Sequence, residues 1–107
     1  MQLKIKTDKM GLTDAIKDYA QKKVDMIEKY LGAVKAINCD IILGKTVTTQ
    51  QSGKIYKVEI NLELPHELLN VEKTTEDLYK SIDKAKDHLV EMIKKYKEKM
   101  IDKNRGK

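Results

Sequence analysis

The sequence predicts an α+β domain in the order β-α-β-β-β-α, a two-layer domain in which one four-stranded sheet carries two helices packed on one face. Three observations point there. Apolar residues alternate at every second position in four separate runs, the period of a half-buried strand. Two longer stretches repeat apolar residues at the helical period. No Pro-, Gly- or Ser-rich linker divides the 107 residues, a length that suits one core.

The first strand is expected over residues 2–7, with Leu3 and Ile5 on one face and Lys4 and Lys6 on the other. Gly11 breaks it. Thr13 is a good N-cap, and Asp14 suits the first turn of the helix that follows. Ile16, Ala20, Val24, Ile27 and Leu31 form its apolar stripe, and Gly32 ends it as a C′ residue. Tyr19, Lys22, Lys23, Met26 and Tyr30 lie along one edge of that stripe. The second strand is expected over residues 34–43, with Ile37, Cys39, Ile41 and Leu43 facing in. Residues 44–53 are polar and bounded by glycine, so they read as a loop. Residues 54–64 are the clearest strand, Tyr56, Val58, Ile60, Leu62 and Leu64 alternating with polar residues. Pro65 and His66 make a turn, and residues 67–73 return with Leu69 and Val71 inward. Thr74 and Asp77 match the capping-box spacing that opens a second helix, expected to run to about Ile101. Its stripe is Leu78, Ile82, Ala85, Leu89, Met92, Ile93, Tyr96 and Met100.

Composition narrows the function. Charged residues make up 36% and hydrophobic residues 40% of the chain, a globular and charge-rich balance. No apolar run approaches the roughly 20 residues of a membrane span, and the alternating start is unlike a secretory signal. A soluble, cytoplasmic protein without a membrane role is expected. Cys39 stands alone, which rules out an internal disulfide and suits a small buried core residue. Net charge is +5, and residues 94–107 carry all of it, with seven cations against two acids. Such a local excess attracts polyanions.

With Leu78 at zero and about 100° per residue, Lys84, His88, Lys95 and Lys99 form a row on one shoulder of the second helix. Tyr79, Lys86 and Lys97 lie on the other. Asp83, Asp87, Glu91 and Glu98 gather on the back, where Asp83 and Asp87 are expected to pair with nearby lysines. The shoulder cations, with Lys22 and Lys23 of the first helix, are expected to line the groove between the two helices. Rows of lysine suit repeated phosphate contact more than base readout. No Ser-His-Asp grouping, Gly-rich phosphate loop or zinc spacing is present, so no enzyme, metal, cofactor or small-molecule substrate is expected.

Three stretches carry a family resemblance. LTDAIKDYAQKKVDMIEKYL, EDLYKSID and KKYKEK, in that order and spacing, resemble the ribosome hibernation promoting factor family, which includes the ribosome-associated inhibitor called protein Y and is also known as the sigma-54 modulation protein family. The similarity runs over roughly residues 1–103, leaving 104–107 as a basic tail. It implies a fold close to double-stranded RNA-binding domains. It implies binding to the small (30S) ribosomal subunit and its 16S rRNA, in the channel of mRNA and tRNA. It further implies inhibition of translation under stress or in stationary phase, by a protein that is a monomer off the ribosome. The matching cations are Lys23, Lys95, Lys97 and Lys99, with Lys22, Lys84 and His88 on the same shoulders. His88, Glu91 and Met26 depart from the basic residues frequent in the family. A long form of the family adds a C-terminal domain that pairs ribosomes, and residues 65–83 look closer to that form's first domain. A generic double-stranded RNA-binding module is the alternative reading, and a protein-interaction domain with a solubilising tail is a third.

Overall fold

The computed structural model describes residues 1–47 and 54–105. Its elements are β1 (Gln2–Asp8), α1 (Asp14–Leu31), β2 (Asn38–Val47), β3 (Lys54–Leu64), β4 (Glu67–Thr75) and α2 (Leu78–Arg105). The four strands lie in sequence order, β1 parallel to β2 and the other neighbours antiparallel. A parallel pair needs a long crossover, and α1 supplies it.

Register aligns the apolar positions into rows across the sheet. Ile5 pairs Ile41, Ile41 pairs Ile60, and Ile60 pairs Val71. Leu3, Cys39, Leu62 and Leu69 form the next row. Both helices cover this face. Ala20, Val24, Ile27 and Leu31 of α1 and Leu78, Ile82, Ala85, Leu89, Ile93 and Tyr96 of α2 complete one core. A Leu or Ile buried this fully costs about 2–5 kcal/mol when cut to Ala. Cys39 is buried as expected, and burial, followed by the charges of Asp40 and Glu28, pushes its thiol up to about 12.

Local chemistry sets the ends. Thr13 accepts a hydrogen bond from the Ile16 N–H at 3.2 Å, the N-cap expected of it. Gly32 sits at φ 59, where a side chain would be strained, and its N–H closes α1 on the Glu28 carbonyl. The start of α2 differs from the capping-box expectation. Thr74 is still in β4, paired with Lys57, while the Asp77 carboxylate accepts from the Tyr79 N–H at 2.9 Å. The Asp77 carbonyl accepts the first helical bond, from Ser81, so Asp77 is the cap. Ser81 is fully buried, and its hydroxyl is satisfied by the Tyr56 carbonyl and Thr75.

The second strand lies four residues later than expected. Val34 is held back by a bond from its N–H to the Leu31 carbonyl, part of the helix-ending turn. Ile37, expected inward, precedes the strand and is 49% exposed. At the other end Gly44 to Val47 pair with Lys57 to Lys54, so the strand continues into the expected loop. Residues 48–53 of that loop lie outside the described residues. The core seam of α2 ends at Tyr96, whose hydroxyl donates to the Pro65 carbonyl at 3.0 Å. Met100, expected on the stripe, is 39% exposed because α2 runs on past the sheet.

Candidate nucleic-acid interface

Packing of α1 beside α2 decides what each cation can do. The flank of α2 that bears Asp83, Lys94 and Lys97 faces α1. Asp83 meets Lys23 at 3.1 Å and Tyr19 at 2.6 Å, and Lys97 donates to the Tyr30 carbonyl at 2.9 Å. A position about 120–180° further round the helix points away from α1. Lys84, His88, Lys95 and Lys99 are therefore on the opposite flank, over the β4 edge, where Lys99 reaches Glu67 at 3.7 Å. Lys95 and Lys99 line a small hollow of about 150 Å³ there with Glu67, Leu69, Met92 and Tyr96.

This corrects the expected single groove. Of the seven candidate residues, Lys23 and Lys97 flank the interhelix seam. Lys84, His88, Lys95 and Lys99 share the other flank, all exposed. Lys22 is exposed on α1, about 100° round from Lys23 and clear of the seam. Among the described residues Lys22, Lys84 and Lys95 have no ion pair. The α2 flank thus presents an open row from Lys84 to Lys99, about 22 Å of helix.

The seam contains a cluster that the sequence reading missed. Tyr19 donates to Asp83, Lys23 pairs with the same carboxylate, and the Lys23 ammonium lies 4.9 Å over the Tyr19 ring centroid. Tyr79 meets Tyr19 edge-on, with centroids 4.8 Å apart and rings at 88°. Asp83 was expected to pair with lysines of its own helix. It turns inward to α1 instead, whereas Asp87 does pair with Lys86, at 2.6 Å. Burial pushes the Asp83 carboxyl up, but the Tyr19 hydroxyl and the Lys23 ammonium outweigh it and hold the group below the usual carboxylate range. The hydrogen bond to Asp83 raises Lys23 above the ordinary lysine value, against burial, and raises the Tyr19 phenol as well. The available signal was the i,i+4 spacing of Tyr19 and Lys23 on one edge of α1.

Among the described residues no group of three or more His, Cys, Asp or Glu comes together as a metal site. Among them, too, no helix is long and apolar enough to cross a membrane. The open flank offers charge and hydrogen-bond donors, which suit a polyanion.

Comparisons with known proteins agree with this architecture. Residues 3–101 match the family model described as Sigma 54 modulation protein / S30EA ribosomal protein. A ribosome hibernation promotion factor of Lactococcus lactis subsp. cremoris is 31% identical over 99% of this chain and 55% of its own length. Its counterpart in Staphylococcus aureus is 28% identical over 100% of this chain and 54% of its own. The chain spans about half the length of these curated relatives. The crystal structure of the Thermus thermophilus Protein Y N-terminal domain superposes with a TM-score of 0.75 at 29% identity, covering 90% of this chain and 99% of that one. A ribosomal subunit interface protein from Coxiella burnetii has the same fold, with a TM-score of 0.70 at 20% identity over 91% of this chain and 98% of that one.

Proposed function

The chain belongs to the Sigma 54 modulation protein / S30EA ribosomal protein family, and on that premise we propose that it binds the small ribosomal subunit and inhibits translation by occupying the decoding channel of idle ribosomes. The observation that carries the reading is the family match across residues 3–101. The open row of Lys84, His88, Lys95 and Lys99 supplies a physical means. Its ammonium groups approach rRNA phosphates, and the folded body then fills space that mRNA and tRNA need. No bond is made or broken, so the effect is steric. Lysine offers a point charge rather than the planar fork of arginine, which favours phosphate contact over base readout. The work belongs to the cytoplasm, where ribosomes and the stress that idles them are found.

Each phosphate neutralised releases counterions, so the logarithm of affinity falls with the logarithm of salt by about 0.7–0.9 per contact. The test is co-sedimentation of the chain with small subunits at low and high salt, with initiator tRNA as competitor. Pelleting that fades with salt and with tRNA is expected. Pelleting indifferent to tRNA would remove the decoding-channel assignment, and no pelleting at low salt would remove the ribosomal reading. Stronger retention of an arbitrary RNA duplex than of the subunit would move the assignment to a general duplex binder.

A further inference from the structure

Tyr30 lies open at the end of the interhelix seam remote from Asp83. It is 44% exposed, and Met26, one turn earlier on α1, is 38% exposed. With Lys29 they line a hollow of about 310 Å³. Lys94 of α2, paired with Glu91 at 3.3 Å, holds its ammonium over the Tyr30 ring, 5.6 Å from the centroid, and Lys97 donates to the Tyr30 carbonyl. The patch is an apolar shelf with one aromatic ring, rimmed by three lysines from two helices. The fold does not require it, because Val24, Ile27 and Leu31 already carry the core face of α1. The bond from Lys97 explains itself as capping of the last carbonyls of α1, and it leaves the Tyr30 ring exposed.

We propose that this shelf stacks an unpaired RNA base on Tyr30 while Lys29, which has no ion pair among the described residues, holds the adjoining phosphate. The inference rests on the ribosomal reading above and names the class of RNA that this end of the seam takes, single-stranded nucleotides. An apolar shelf alone suits many partners, and a cation row alone suits any phosphate backbone. A flat ring with one ammonium over it and a hollow lined by Met26 and Lys29 beside it suits a base with its phosphate one sugar away. The pattern recurs along the seam. Tyr79 is 39% exposed on the shoulder that also bears Lys86 and Lys97, and it is braced edge-on by Tyr19. From Tyr79 to Lys94 is about 22 Å of helix, within reach of a strand of several nucleotides. On the outer flank of α2 the tyrosine beside the cations, Tyr96, is buried and offers no ring face to a base. That flank holds phosphates, and the seam takes unpaired bases.

The experiment titrates the chain against a short fluorescein-labelled single-stranded RNA, and against the same strand annealed to its complement, by anisotropy at several salt concentrations. Tyr30→Ala is expected to weaken single-strand binding about tenfold, and Tyr30→Phe to stay within about twofold of wild type. Duplex affinity and the salt slope should not change, since the ring neutralises no phosphate. Met26→Ala, which leaves the ring in place, should weaken the single strand by a smaller factor. Equal single-strand affinity of wild type and Tyr30→Ala would overturn the site. So would an equal loss on strand and duplex, no wild-type binding to the strand, or a Tyr30 dependence found instead on phosphatidylglycerol vesicles. Co-sedimentation with small subunits is run beside it. If wild type pellets and the Tyr30 dependence is absent, the stacking site alone fails. If the dependence is present and wild type does not pellet, the ribosomal reading fails and the site stands.

Discussion

Lys23 and Lys95 are the same residue type on two neighbouring helices, yet the fold gives them different surroundings. The Lys23 side chain is 21% exposed, pinned to Asp83 and laid over Tyr19. Lys95 is exposed with no ion pair among the described residues, and its neighbour Lys99, with a side chain 73% exposed, has only a long contact to Glu67. A cation already matched by its own protein gives little to a new anion, because the old partner must be released first. A cation facing water gives most of its charge. Helix packing, more than composition, therefore sorts the lysines into those matched within the fold and those left open to an anion.

The largest expected effect comes from reversing the open row. Lys95→Glu/Lys99→Glu should weaken small-subunit binding by at least about a hundredfold at moderate salt, with a melting temperature within a few degrees of wild type. Unchanged pelleting of the folded double variant would end the assignment of that flank. Lys23→Gln should show the reverse profile. It removes the matched cation of the seam, so denaturant stability should fall by about 1 kcal/mol, a figure kept small because the Asp83 side chain is 43% exposed. Its affinity for the subunit should stay within about threefold. A large loss of affinity without loss of stability would place Lys23 with the open row.

Acid sharpens the same contrast. The Asp83 carboxyl is lower in the folded chain than in the unfolded one, so its contribution is fully present above the ordinary carboxylate value of about 3.9. It is lost as pH falls through the lowered folded value. Lys23 is raised, so its share is present below the ordinary lysine range and is lost only as pH rises through the raised value. Urea midpoints of wild type and Asp83→Asn should converge as the solution is acidified below about pH 4. A gap that stays constant down to about pH 2 would deny the charged pair. Tyr19→Phe should have the smallest effect, about 0.5–1 kcal/mol of stability from one hydrogen bond to a half-exposed carboxylate. Its checks are the urea midpoint and loss of an alkaline-shifted phenol in a spectrophotometric titration.

The fold was legible where a single period ran uninterrupted. Residues 56–64 alternate without exception, and Lys54–Leu64 is a strand with the expected bounds. The stripe from Ala20 to Leu31 and the cap at Thr13 lie where the sequence indicated. The second strand begins later than indicated because Val34 closes the helix turn, and Ile37, although its backbone bonds Glu63 and Gln2, stands exposed before the strand. Thr74 satisfied a spacing rule but was claimed by the ladder with β3. The site was half legible. Helical angles identified the row of Lys84, His88, Lys95 and Lys99, because a row is a property of one helix. Which shoulder faces α1 is a property of two helices, and no single period encodes it. Asp83 is the clearest case: its partners are 60 and 64 positions away in the chain.

The most direct measurement of the central claim is the salt dependence of small-subunit binding for wild type, Lys84→Gln/Lys95→Gln and Lys23→Gln. Two open lysines that each neutralise a phosphate should make the double variant's slope shallower by about two, while Lys23→Gln keeps the wild-type slope. Equal slopes for wild type and the double variant, or a shallower slope for Lys23→Gln alone, would contradict the division of the lysines drawn from this fold.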